Sequence, residues 1–188
     1  MNSPAKTKTA TRLFIAVPIP KSARKEMKKA LNGYAKFIDK AVPEKNWHLT
    51  FLFLGEVDHY QRYLRRMTED LPRMFLPTIS FTHVGRGHQR DQLWAYAQQT
   101  NVLNELHSTI RARLVKIRVP TSAPITKSKT EFIPHVRLAN MLEVTRGMGL
   151  ADRQLTVTFM IKQIIIYKSE PDDTGANYSA VGVINLLP

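Results

Sequence analysis

Apolar positions recur along this chain with two periods. Runs of period near two, rich in Val, Ile, Phe and Tyr, occur at "RLFIAVPI" (residues 12–19), "WHLTFLFLGE" (47–56), "TISFTHVGR" (78–86), "QLWAYAQ" (92–98), "FIPHVRLAN" (132–140), "LTVTFMIKQIIIYKS" (155–169) and "YSAVGVINLL" (178–187). These predict strands. Between them lie stripes of helical period. Met27, Leu31, Tyr34 and Ile38 follow Ser22, a potential cap; Tyr60, Leu64, Met67 and Leu71 follow Asp58; Leu103, Leu106, Ile110 and Leu114 follow Asn101. A further short helical piece is expected near Met148 to Arg153. "GHQRD" (87–91) reads as a hairpin loop, "RVPTSAPITKSKTE" (118–131) as a long flexible loop, and "EPDDTGAN" (170–177) as a turn.

The predicted order is β, α, β, α, β, β, α, β, β, β. Strand–helix–strand in each half predicts an α+β fold of two lobes. Residues 1–11 are polar and basic and read as a flexible tail, leaving 12–188 as a single bilobal domain. One internal echo fits this plan: His48 and His135 each precede a Glu-Val pair by eight positions.

The strand from Trp47 to Glu56 interrupts its apolar run with two polar side chains, His48 and Thr50. Residues at i and i+2 share a face, so these two form one polar patch. The same happens at His135 and Arg137. Burying an unpaired imidazole or guanidinium is costly, so both faces are expected to line a wet groove. Two imidazoles across a groove suit proton transfer near neutral pH, one taking a proton while the other gives one. A hydroxyl or guanidinium beside each can hold phosphoryl oxygens. His59, His83, His88 and His107 lack such partners and read as surface or core residues.

Composition narrows the chemistry. The 188 residues contain no cysteine, which removes disulfides, thiolate metal sites and cysteine nucleophiles. No H-x-x-x-H pair appears and neither histidine strand carries a nearby carboxylate on its histidine face, so no metal is expected. A serine hydrolase would need a G-x-S-x-G elbow, which is absent. No unbroken apolar span is long enough for a membrane helix, and the cytoplasm is the expected compartment. Lys and Arg number 28 against 15 Asp and Glu, a net charge of +13. Such an excess favours polyanionic partners, nucleic acid among them.

"RLFIAVPIP", "VPEKNWHLTFLFLGEVD", "EFIPHVRLAN" and "QIIIYKSEPDDTGANYSAV" together resemble the two-histidine (2H) phosphoesterase superfamily, and within it the RNA 2′,3′-cyclic phosphodiesterase branch, also called 2′-5′ RNA ligase. The similarity runs from Arg12 to Leu187. A single H-x-T carries almost no information; two histidine strands 87 residues apart, with the opening and closing strands in the family's order, are specific. The resemblance implies a bilobal pseudo-two-fold fold, each lobe an antiparallel sheet with helices on its outer face, a histidine strand from each lobe and an active-site groove between them. It also implies metal-independent, cofactor-free hydrolysis of RNA 2′,3′-cyclic phosphate ends to 2′-phosphates, with His135 as base on water and His48 protonating the departing 3′ oxygen; a monomer is expected.

His48, Thr50 and His135 match the family's motifs. The position two beyond the second histidine, ordinarily Thr or Ser, is Arg137, and the family's frequent Arg five beyond it is Asn140. Arg137 either restores the missing positive charge or fills the pocket, and the first reading is favoured because both histidine strands are intact. Thr50 and Arg137 are thus expected to bind phosphate. Phe132 and Asn140 are candidate substrate contacts, and Trp47 faces away from His48 toward the core. Arg86, Arg90, Lys127 and Lys129 could track an RNA backbone or simply be solvated. Reverse-direction 2′-5′ ligation and a catalytically weakened RNA-binding protein are the alternatives.

Overall fold

The structure, a computed structural model, describes residues 10–69, 77–88, 91–123, 132–172 and 175–186. Among the described residues are nine strands and three α-helices: β1 (Ala10–Pro18), α1 (Lys21–Asn32), β2 (Ile38–Ala41), β3 (His48–Asp58), α2 (Gln61–Thr68), β4 (Thr78–Arg86), β5 (Gln92–Ala97), α3 (Asn101–Lys116), β6 (His135–Met141), β7 (Arg153–Met160), β8 (Gln163–Asp172) and β9 (Gly175–Asn185). The strands form two sheets, one of four in the order β3-β1-β8-β9 and one of five in the order β2-β6-β5-β4-β7. Every pairing between these strands is antiparallel.

Helices cover one face of each sheet. α3 packs on β3, α2 on β9, and α1 on β4 and β7. The stripe predicted for α3 is buried throughout, at Leu103, Leu106, Ile110 and Leu114, and the helix is capped by the Thr100 hydroxyl, which accepts from the Leu103 N–H at 3.2 Å. α1 buries Ala23, Met27 and Leu31 while its lysines face water. It stops at Asn32, so Tyr34 and Ile38 extend the apolar stripe but not the helix. The first helix begins after Pro20, with no side-chain cap from Ser22.

Several elements depart from the sequence pattern. β3 continues through Asp58, so that residue caps no helix, and α2 starts at Gln61. Leu71 lies outside the described residues, as do residues 1–9 and 124–131. β1 begins at Ala10, which pairs with Asp58 two residues ahead of the predicted start. β2 carries no apolar alternation; only Ile38 is even half-buried, and pairing with β6 alone makes it a strand. Near Met148 no helix forms. A 3-10 turn at Glu143–Thr145 leads instead through Gly147, at φ +84°, into β7. The run at 155–169 is two strands. It changes sheets at Ile161, which is buried and whose N–H bonds the Pro77 carbonyl at 2.8 Å. "EPDD" belongs largely to β8, where Glu170 to Asp172 pair with Asn177 to Gly175.

The lobes are not sequential halves of the chain. β1, β3, α2, α3, β8 and β9 belong to one; α1, β2, β4, β5, β6 and β7 to the other. The two histidine strands β3 and β6 lie in different sheets and pack against each other, which places the site where the lobes meet.

Candidate active site

Each histidine opens its strand. His48 is the first residue of β3 and His135 the first of β6. Both rings are half-buried and line one cleft of about 690 Å3, shared with Thr50, Arg137, Asn46, Phe14, Phe53, Trp94 and Tyr178.

The two strands are built alike around these residues. His48 Nδ1 lies 2.6 Å from the carbonyl oxygen of Asn46, and His135 Nδ1 lies 2.7 Å from that of Ile133, in each case two residues back. A carbonyl only accepts, so Nδ1 carries the proton in both rings and Nε2 is left for chemistry. Each strand also has an extra residue three beyond its histidine. Thr50 pairs with Ala16 and Leu52 with Ile15, passing over Phe51. Arg137 pairs with Trp94 and Ala139 with Leu93, passing over Leu138. Bulges bend and re-aim a strand, and here they occur at equivalent places in both lobes.

Aromatic rings back both imidazoles. His48 rests against Phe14 at 4.7 Å between centroids and meets the edge of Tyr178 at 5.2 Å. His135 stacks on Trp94 at 3.6 Å, 14° from parallel. Trp94 also stacks on His88, and its indole N–H donates to Gln92 Oε1 at 2.8 Å. Gly87 makes room for this indole, since a Cβ there would meet the ring at 2.6 Å.

Burial sets the electrostatics. It holds His48 well below the usual imidazole range, at about 4; the bond to Asn46 opposes this and the charge of His135 adds to it. Burial also lowers His135, with the Ile133 bond opposing and His88 adding. Both rings are therefore neutral near pH 7 in the free protein.

Of the residues singled out in the sequence, the cleft gathers His48, Thr50, His135 and Arg137. The exposed Arg137 guanidinium donates to the side-chain oxygen of Asn140, which sits on the same strand and is not part of the cleft wall. Phe132 stacks on Phe51 and on His107 at 5.3 and 4.5 Å, so its ring packs with the core rather than the cleft. Trp47 is buried as expected, donating to the Val42 carbonyl. Arg86 donates to the Thr145 carbonyl at 2.7 Å. Arg90, Lys127 and Lys129 lie outside the described residues.

Sequence reasoning missed Asn46, Trp94 and Tyr178. Asn46 couples the two ends of the small sheet, holding His48 by its carbonyl while its amide donates to the Ala176 carbonyl at 3.0 Å. Trp94 is readable only once β5 is known to pair with β6. His88, read from the sequence as a surface or core residue, reaches His135 through that indole. Among the described residues no cluster of three potential metal ligands occurs, and no helix is long and apolar enough to cross a membrane.

No protein-family model matches the chain. It is 25% identical over 179 residues to an RNA 2′,3′-cyclic phosphodiesterase of Methanocaldococcus jannaschii, covering 90% of this chain and 98% of that protein. It is 36% identical over 115 residues to a protein of the same name from Archaeoglobus fulgidus, covering 56% and 62%. The apo crystal structure of E. coli LigT superposes with a TM-score of 0.74 at 19% identity, covering 96% of this chain and 99% of that one; at that identity the likeness concerns the fold.

Proposed function

Because the chain belongs to the two-histidine phosphoesterase superfamily, we propose that it hydrolyses RNA 2′,3′-cyclic phosphate ends to 2′-phosphates without a metal or cofactor. The observation that carries this reading is the matched pair of imidazoles in one cleft, each with Nδ1 tied to a backbone carbonyl and Nε2 free. Water attacks phosphorus in line with the P–O3′ bond. One Nε2 takes a proton from the water as the P–O bond forms, and the other gives a proton to O3′ as the old bond breaks. Thr50 and Arg137 hold the non-bridging oxygens, where charge develops.

An anionic phosphate between the rings raises the affinity of both for protons, which supplies the imidazolium that the free protein disfavours. The resemblance gives the base to His135 and the acid to His48. The burial that holds His48 at about 4 favours the opposite allocation, and a substrate whose leaving group needs no proton separates the two.

Arg137 supports turnover over a binding-only protein. Its guanidinium is exposed and bonded along its own strand to Asn140, which is not part of the cleft wall, and the cleft beside both histidines holds about 690 Å3. Ligation to a 5′-OH breaks the same P–O3′ bond with that hydroxyl attacking in place of water, and uses the same groups. The test is incubation of purified protein with an oligonucleotide ending in a 2′,3′-cyclic phosphate, resolving 2′- from 3′-phosphate product, in parallel with a 5′-OH acceptor. Expected is the 2′-phosphate, lost in His48→Ala and His135→Ala. Full turnover by either variant overturns the mechanism.

A further inference from the structure

We infer that Arg12 and Ser169 bind the phosphodiester on the 5′ side of the terminal nucleoside, so that the protein selects a cyclic phosphate at the end of an RNA strand over a free nucleoside cyclic phosphate; the assignment rests on the phosphodiesterase reading. The site lies where the smaller sheet divides. β1 and β8 pair only from Leu13 opposite Lys168 to Ala16 opposite Ile165. Before Leu13, β1 follows β3, with Ala10 opposite Asp58; beyond Lys168, β8 follows β9, with Asp172 opposite Gly175. The two ribbons part, and an opening of about 530 Å3 lies between residues 10–12 and 169–171. Arg12, Ser169 and Ala176 line both this opening and the histidine cleft, so the two adjoin.

Both side chains stand on the histidine face. Between Phe53, opposite Phe14, and Gly55, opposite Leu13, the ladder passes over Leu54. That irregularity belongs to β3, and β1 keeps its alternation. Arg12 therefore shares a face with Phe14, whose ring backs His48 at 4.7 Å. Ser169 shares a face with Tyr167, which stacks on Phe14 at 5.1 Å. Its partner across the ladder is Tyr178, whose edge His48 meets. Arg12 and Ser169 each stand two residues, roughly 7 Å along a strand, beyond a ring of this aromatic group.

The charges leave one cation free. Arg12, Lys168, Glu56 and Glu170 line the opening. Lys168 is neutralised by Glu170 at 2.7 Å, and Glu56 lies opposite Arg12 in the ladder without pairing with it. Among the described residues, no hydrogen bond or ion pair engages the exposed Arg12 guanidinium or the half-buried Ser169 hydroxyl. The two carboxylates disfavour a polyanion spread over the whole opening. They leave the boundary with the cleft, which Arg12 and Ser169 line, as the place for one phosphate. A guanidinium and a hydroxyl supply the donors that its two non-bridging oxygens accept. In an RNA end the group one nucleoside away from the cyclic phosphate is a singly charged phosphodiester. A free nucleoside cyclic phosphate lacks it.

The experiment measures hydrolysis of three substrates that end in the same 2′,3′-cyclic phosphate: a dinucleotide, that dinucleotide with a neutral methylphosphonate as its internal linkage, and the nucleoside alone. A charge-assisted contact predicts a wild-type KM about ten-fold lower for the charged dinucleotide than for the other two. In Arg12→Ala and Arg12→Gln that ratio should fall toward one, and in Ser169→Ala part of the way. The loss should fall on KM rather than kcat, with the thermal midpoint unchanged. Equal KM values for the charged and neutral linkages in wild type overturn the assignment. So does an Arg12→Ala loss of the same size on all three substrates, which marks a structural role. Calorimetric binding of the two dinucleotides carrying an open 2′-phosphate reads the contact without chemistry. If no cyclic end is hydrolysed, the phosphodiesterase reading falls; an Arg12-dependent preference for the charged linkage in binding then upholds the subsite, and its absence overturns the subsite as well.

Discussion

The indole of Trp94 lies flat against the imidazole of His135, with centroids 3.6 Å apart, on neighbouring strands of the larger sheet. It fixes the ring's plane and keeps water from one face, so it is a positioning residue. Trp94→Phe should lower kcat several-fold, and Trp94→Ala about ten-fold or more. Re-wetting His135 should also move the pH–rate profile upward, because burial is the main cause of its lowered proton affinity. The indole is largely buried, and its removal should cost about 3–5 kcal/mol in urea unfolding; the phenylalanine variant separates that loss from the catalytic one.

Arg137 and Asn140 act as one unit through the hydrogen bond between them. A charge-assisted bond to phosphate is worth about 1.5–3 kcal/mol, so Arg137→Thr should reduce kcat/KM roughly 10- to 100-fold. Asn140→Ala should cost less, and the double variant no more than Arg137→Thr alone. A rise in turnover on Arg137→Thr would show that the guanidinium obstructs the site.

The two histidine roles are separable by leaving group. His48→Ala and His135→Ala should each lower kcat by about 10²–10⁴. A cyclic phosphate with sulfur in place of the 3′ oxygen needs no proton on departure. It should restore turnover to the variant lacking the acid and not to the one lacking the base. Addition of a chelator should leave wild-type rates unchanged.

Stability should fall in acid through His48. Its folded proton affinity, at about 4, lies below the ordinary 6.5. Between those values the unfolded chain binds the proton and the folded one does not, so stability is full above pH 6.5 and declines as pH drops toward 4. At 1.36 kcal/mol per pH unit the loss is about 3 kcal/mol, with His135 contributing in the same direction. Urea midpoints measured from pH 7 to 4 should show this slope, and His48→Gln should flatten it.

Gly55 is required by two observations. Its φ is +67°, and a Cβ would come within 2.3 Å of Ser122 Oγ. Gly55→Ala should destabilise the protein by about 1 kcal/mol or more, read as a lower thermal midpoint, and should weaken binding at the cleft by releasing the β3 irregularity.

The parts legible in sequence were those that follow local periodicity. The α3 stripe, the β4–β5 hairpin and the His48/Thr50 and His135/Arg137 faces all obey a simple repeat, and the structure has them. What escaped depends on partners distant along the chain. β2 is polar and becomes a strand only against β6. The apolar run at 155–169 has no mark at Ile161 to show that it changes sheets. Phe53 sits where alternation says core, because a bulge is a property of a strand and its partner together. Phe132 was the reverse case: near His135 in sequence, but claimed by Phe51 and His107.

The interleaving of the lobes has a mechanical side. A substrate slot between modules joined by one linker can open on a single hinge. Here the polypeptide threads back and forth between the sheets, so any parting of the walls would have to flex many connections together. The cleft should behave as a rigid mould, and neither lobe should survive as an independently expressed fragment.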